Sequence, residues 1–413
     1  MRRLLAILTA AALLAGCSRR ERANPFDPLN PSTRGRPAGF EALAGDGQVL
    51  LHWQAVFGDA LSGYQLTRRG PGETVFQPVG GVLGLSVTAF RDVPLANDRD
   101  YNYKLYFVFQ SGPGSRPAED TATPGSAVPW LIESGGTDLV QGTPDDRHVV
   151  ARRGGFTSTA DVAVSTRDGA VWVADEGAGR VAIYRPQDGV TTTISRLSHP
   201  RAVAVDAFDG SGWVCDLGQN LVLHYRANGD AASLPIAPLV DPVDVAVDPQ
   251  DGSVWVCELG ADRVGRYEST SAVWKRTVSQ PARVAVDSTT REGWATSYGT
   301  GTITHLSFAG DLIGRLTGFR TPLGVAVDAR RGRIWIADPG AGQVIALRRD
   351  ESEEFRVTGL TDAGELAVDA RTGDAWVVLA ASGQLVRVSP DGAIRRMGGL
   401  RNPIAVAVDA GGR

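Results

Sequence analysis

Lysine is almost missing from this chain. Lys104 and Lys275 are the only two, although Lys and Arg together number 42. The arginines are scattered and the net charge is −4, which argues against nucleic acid as a partner. Cysteine is as scarce, with Cys17, Cys215 and Cys257 alone. Cys215 and Cys257 each stand two residues after a repeated tryptophan. Such positions in packed neighbouring sheets lie about 10 Å apart, beyond disulfide reach, so both are expected as buried free thiols. One apolar run stands out, Leu4 to Ala15, and it is too short to span a bilayer. His52, His148, His199, His224 and His305 are the five histidines, and none has an evident partner for general acid–base work. Nucleophile elbows, phosphate loops and zinc motifs are missing.

What the chain has is length, glycine and repetition. Its 413 residues exceed one ordinary core, and 50 glycines among short Val-rich runs indicate turn-rich β structure. Trp130, Trp172, Trp213, Trp255, Trp294, Trp335 and Trp376 are spaced by 42, 41, 42, 39, 41 and 41 residues. A fixed period near forty with several strands per unit marks a propeller or a related array. Each unit reads Val-Ala-Val-Asp, a Gly turn, a Trp-centred strand ending in an acid, a further turn and a third strand, then a variable fourth. The copy at Ala405–Asp409 has no Trp strand after it, and the copy around Trp130 has no first strand before it. The two ends complete one unit. The expectation for 126–413 is a seven-bladed β-propeller, six blades continuous and one closed by pairing of the N- and C-terminal strands. An open array would leave an apolar strand edge in solvent.

Ahead of the repeats, residues 37–124 alternate in Val49–Trp53, Gly63–Arg68 and Tyr101–Val108, which predicts a β-sandwich. Leu51-His-Trp53, Gly63-Tyr64 with Arg68, Tyr101 and Gly114-Ser-Arg-Pro117 resemble a fibronectin type III domain. That resemblance makes Trp53 a core residue and the domain a spacer or adhesive module. The whole chain is therefore expected to be all-β.

The first residues read as a processing segment. Leu14-Ala15-Gly16-Cys17 resembles the lipobox of bacterial lipoproteins. The resemblance implies a signal peptide over 1–16, acylation at Cys17 and a membrane-anchored envelope protein. Ser18 after the Cys favours the outer over the inner membrane. Residues 17–36, rich in Pro, are expected as a tether. The repeat itself resembles the NHL family in Val-Ala-Val-Asp and Trp-Val-Ala-Asp, best around Trp172 and Trp335.

Positions alike in most repeats serve packing and turns. Asp206, Asp248, Asp287, Asp328, Asp369 and Asp409 are expected to accept turn amides. Asp175 and Glu258 are expected to pair with Arg180 and Arg263, and the tryptophans to wedge between blades. His224, His305, Arg266, Arg387 and Gln141 share a third-strand slot read as outward-facing. The pattern breaks just before the first strand, where the seven copies carry Asp161, Ala202, Asp244, Arg283, Gly324, Glu365 and Ala405. In a propeller these slots surround one mouth of the channel. Asp161, Asp244, Arg283 and Glu365, with His199 and Arg201 beside them, form the candidate ligand-binding mouth. The competing reading is a solvated rim whose charges pair among themselves.

These features predict a lipid-anchored envelope binding or scaffold protein, monomeric, recognising a protein, peptide or glycan, with no catalytic residue and no cofactor. The alternative is a divalent-metal-dependent lactonase- or lyase-like enzyme holding calcium at Asp161, Asp244 and Glu365, where Arg283 would compete. Seven-bladed lyases of the virginiamycin B type resemble this fold, but they depend on a histidine-rich site that these positions do not supply.

Overall fold

The computed structural model describes residues 24–134 and 137–409; Cys17 and the signal segment lie outside them. The chain divides into two compact units, Met1–Gly125 and Ser126–Arg413. Regular structure is almost entirely antiparallel strand. Among the described residues no helix is long and apolar enough to cross a membrane.

The first unit is two antiparallel sheets on one core. Glu41–Gly45, Gln48–His52 and Ala89–Asp92 form one sheet; Leu61–Arg69 and Tyr101–Phe109 centre the other. Trp53, Tyr64, Tyr103 and Phe107 fill the space between them, the large aromatic area expected of such a core. Tyr101 Oη accepts the Ala96 N–H at 3.0 Å. The tether expectation needs correction from residue 24 onward. Asn24, Asp27 and Asn30 each accept the amide two residues on, which turns the chain. Phe26 then packs edge-on against Phe107 at 5.1 Å. This stretch is folded onto its unit and is not extended.

The second unit is a succession of seven small antiparallel sheets, each holding one repeat tryptophan in its second strand. The first strands are Thr159–Val164, Pro200–Val205, Pro242–Val247, Pro281–Val286, Val325–Asp328, Ala363–Val368 and Pro403–Asp409. Each lies beside the next, and Pro403–Asp409 lies beside both Ala363–Val368 and Thr159–Val164. That last strand pairs with Val128–Glu133, placing Ala407 opposite Trp130. Six sheets have four strands; the Trp213 sheet has three.

Packing between sheets follows from the tryptophans. Trp172 clusters with Val203 and Val214 of the following sheet, Trp335 with Ala375 and Val377, and Trp376 with Leu131 and Val140. Gly212 opens the Trp strand of its sheet, and a Cβ there would overlap the Trp172 ring. Burying this much aromatic surface is worth several kcal/mol per residue.

The repeated acids are structural. Asp206, Asp248, Asp287 and Asp369 each accept the amide two residues on. Arg180 Nε donates to Asp175 at 2.9 Å and Arg263 Nε to Glu258 at 2.8 Å. One expectation fails: the third-strand slot does not point outward as a whole. His305 and Arg266 are buried there. His305 stacks on Trp294 at 3.7 Å and His224 on Trp213 at 4.0 Å, because this slot sits directly across from the tryptophan in the ladder. Cross-strand neighbours of this kind pack against each other on one face of the sheet.

Candidate functional site

The mouth is built by a β-bulge that recurs in the first strands. In the pairing of Pro242–Val247, Pro242 faces Glu258 and Asp244 faces Cys257, so Val243 has no partner. The same extra residue is Ala160, Arg201, Ala282 and Ile404 in four other sheets. In Ala363–Val368, Gly364 and Glu365 stand opposite Val378 alone. A bulge breaks the alternation of the strand and re-aims the side chains around it.

Two cavities follow from that geometry. The wider one, about 780 Å³, is lined by the bulge residues Ala160, Arg201, Val243, Ala282, Gly364 and Ile404. Leu259, Pro281, Tyr298, Leu323 and Pro339 complete an apolar wall. The narrower one, about 130 Å³, is lined by the residues that come next in each strand: Asp161, Asp244, Arg283, Gly324 and Glu365, with the valines after them. Strand by strand, the residue on the wide wall precedes the residue on the narrow wall. The narrow cavity therefore lies beneath the wide one along the strand direction, and Arg283 lines both.

Three of the four charged side chains of the narrow cavity are bonded to one another. Arg283 Nη1 lies 3.3 Å from Asp244 Oδ1, and Nη2 lies 2.8 Å from Glu365 Oε2. Asp161 Oδ2 accepts the Val203 N–H at 2.8 Å, and Asp244 Oδ2 accepts the Val284 N–H at 2.7 Å. Each of these two acids thus ties its own sheet to the next. Three carboxylates against one guanidinium leave an excess of negative charge. Burial pushes the Glu365 carboxyl up to about 8, with Asp161 and Asp244 adding to the effect and Arg283 opposing it. Burial likewise pushes Asp244 up to about 6 against the pull of Arg283, and raises Asp161. Burial works against the Arg283 charge, but Glu365, Asp244 and Asp161 outweigh it and hold the guanidinium above its ordinary range. Perturbed groups gathered in a cleft mark a functional-site candidate.

The structure thus brings Asp161, Asp244, Arg283 and Glu365 together around the narrow cavity. Arg201 stands on the wide wall, 3.7 Å from Glu176. His199 is exposed and lines neither cavity; its amide is held by Asp216 at 3.0 Å. That bond fixes the loop and leaves the imidazole outside the mouth. Sequence reasoning missed the apolar wall: Leu259, Tyr298, Pro339 and the bulge residues. A signal was present, since Pro200, Pro242, Pro281, Pro322 and Pro403 all stand two residues before the slot, and a proline in a strand points to a bulge or an edge.

Among the described residues no group of three or more His, Cys, Asp or Glu side chains is arranged to hold a metal ion. Arg283 already pairs with two of the three acids, Asp244 and Glu365. Cys215 and Cys257 are buried free thiols behind the narrow cavity, and burial pushes both well up.

The fold has known counterparts. Virginiamycin B lyase from Staphylococcus aureus aligns over 61% of this chain and 92% of its own, at 15% identity and a TM-score of 0.51. A catalytically inactive histidine-to-alanine variant of that enzyme, solved with quinupristin, aligns over 58% of this chain and 84% of its own, at 16% identity and a TM-score of 0.50. A functionally unknown protein from Desulfotomaculum acetoxidans aligns over 68% and 98%, at 12% identity and a TM-score of 0.58. At these identities the likeness speaks to the propeller-type fold alone. No curated protein matches the chain. The model of the virginiamycin B lyase family matches residues 154–403, which span most of the seven sheets and every residue of the charged cavity. The chain belongs to the virginiamycin B lyase family.

Proposed function

We propose that this member of the family is a binding or scaffold protein of the cell envelope, with its ligand seated in the wide cavity above Arg283, and that it is not a lyase. One observation carries the reading: no histidine lines either cavity, while the relative solved with quinupristin is inactive once a histidine is replaced. The arginine already neutralises part of the acid cluster, which suits a fixed recognition surface better than a proton relay.

The seven sheets are the blades of a closed NHL-like propeller, with the blade around Trp130 completed by Pro403–Asp409; the pairing of those strands and the packing of Trp376 onto Leu131 support it. The first unit is a fibronectin type III-like spacer, supported by the buried Trp53 and the Tyr101 bond. Cys17 carries the lipid that anchors the chain to the outer membrane. The protein is a monomer that recognises an envelope protein, peptide or glycan.

Incubating the full chain with quinupristin tests the proposal. Unchanged quinupristin, with or without added divalent metal, is the expected result. Conversion that disappears in Glu365→Gln would make the protein an enzyme. For the calcium alternative, the expected outcome is a melting temperature that calcium does not move, since a ligand that binds the native state raises it by mass action.

A further inference from the structure

We propose that the ligand of the wide cavity is an amphipathic cation: an apolar body against Leu259, Pro281, Tyr298 and Pro339, and one ammonium or guanidinium group lowered toward Asp161, Asp244 and Glu365. This rests on the reading that the wide cavity is the binding site, and it adds the chemistry of what binds.

A cavity of about 780 Å³ with an apolar wall is of the size that takes a drug-like molecule or a few residues of peptide. It narrows onto a polar cavity of about 130 Å³, room for one small polar group. Shape alone does not choose the sign of that group; the side chains do. Arg283 makes ion pairs with Asp244 and Glu365. Asp161 has only backbone amides as hydrogen-bond partners, from Val162 and Val203. A carboxylate or phosphate entering from above would pass Arg201, which is paired with Glu176 at 3.7 Å, and the acid Asp362 on the wide wall, and would then meet a guanidinium already bound to two acids and a third acid beside it. A cation would meet the uncompensated charge.

The small residues fit the same picture. At this level of the strands Gly324 stands between Arg283 and Glu365, and Ala405 between Glu365 and Asp161. The charged groups facing Glu365 are Arg283, Asp161 and Asp244. In the empty protein near neutral pH, Glu365 keeps its proton, because its carboxyl is pushed up to about 8. A cation placed beside it favours the carboxylate and drives that proton out. Binding should therefore release a proton and strengthen as the pH rises toward 8.

The test is calorimetry on the full chain with three probes of one shape: phenylpropylamine, phenylpropanol and phenylpropionate. An apolar dipeptide amide with a free N-terminus separates a peptide end from a free amine as the source of the cation. The amine, or the dipeptide amide, should bind at least about tenfold more tightly than the alcohol, the gap being the charge interaction. Its affinity should rise by up to about fiftyfold between pH 6 and pH 8, with close to one proton released at pH 6 to 7 as judged from buffers of different ionisation heat. Glu365→Gln should lower the proton release and flatten the pH dependence, with Asp161 supplying what remains; Asp161→Asn should weaken the amine while leaving the alcohol unchanged. If phenylpropionate binds as well as the amine, the guanidinium is the anchor and the proposal is wrong, while the wide cavity stands as the site. If all four bind equally and without proton release, charge plays no part and the proposal is wrong. If none binds, the proposal and the reading of the cavity fall together.

Discussion

Arg283 Nη2 lies 2.8 Å from Glu365 Oε2, although 82 residues and the whole Trp335 sheet separate them in the chain. The strand between them offers Gly324 at that level, and so the arginine meets no side chain on its way. A Cβ on Gly324 would come within 2.6 Å of the Gly364 carbonyl oxygen. The pair, the glycine between and the bulge at Gly364 form one arrangement, and each part depends on the others.

Removing Arg283 should therefore be costly. Above about pH 8, where both acids are ionised, Arg283→Met leaves Glu365 and Asp244 buried without their cation, and breaking a buried pair on one side costs about 3–5 kcal/mol. Adding Glu365→Gln to the same protein should return part of the loss. Urea denaturation of the single and double variants measures both. Equal stability of Arg283→Met and the parent would show that the charges are solvated, as in the rim reading.

Stability should fall as the pH rises through neutrality. Glu365 and Asp244 titrate higher in the folded state than in the unfolded chain, up to about 8 and about 6. Between their unfolded and folded values the native state holds more protons than the unfolded one. Their contribution is fully present below about 4, is lost as the pH climbs, and is gone above about 8, with a slope of up to about 1.4 kcal/mol per pH unit for each group. Melting curves of the parent against Glu365→Gln, from pH 5 to pH 8.5, should show a shallower slope in the variant. Parallel curves would contradict the account of Glu365.

The wedge role of the tryptophans gives a third expectation. Gly212→Ala places a methyl group into the Trp172 ring, and overpacking of this kind costs about 1–3 kcal/mol. Trp172→Ala should cost about 3–5 kcal/mol. Combining the two relieves the clash, so their effects should add to less than their sum. Strict additivity in denaturation experiments would separate the two residues.

Closure is tested at the C-terminus. Deleting 403–413 removes the partner of Val128–Glu133 and bares an apolar edge. Aggregation or a large drop in melting temperature is expected; a monomer with unchanged melting would show that the strand is dispensable.

The fold was largely legible because its signals are periodic. Seven tryptophans in register announced the sheets, and the unmatched strands at Trp130 and Ala405 announced the pairing that the structure contains. The charged slot was legible for the opposite reason, as the place where the repeats disagree. The apolar wall was not. Leu259, Tyr298 and Pro339 each stand four residues after a repeat tryptophan, just past the Trp strand, but the residue type changes from repeat to repeat and so leaves no recurring apolar signal. The bulge that turns Val243 and Ile404 into the cavity is a property of pairing, which one strand's sequence does not display. His199 shows the limit of proximity along the chain: two residues from Arg201, it points elsewhere because Asp216 holds its amide. His305 and Arg266 were read outward because they are polar, yet a tryptophan across the ladder covers them.

The central claim is that the wide cavity over Arg283 is where this protein binds its ligand. A crystal structure of the full chain soaked in phenylpropylamine tests it most directly. The account predicts the phenyl ring between Leu259 and Tyr298 and the ammonium within hydrogen-bond distance of Glu365, at roughly 3 Å. Phenylpropylamine bound only at another surface, with this cavity empty, would contradict it.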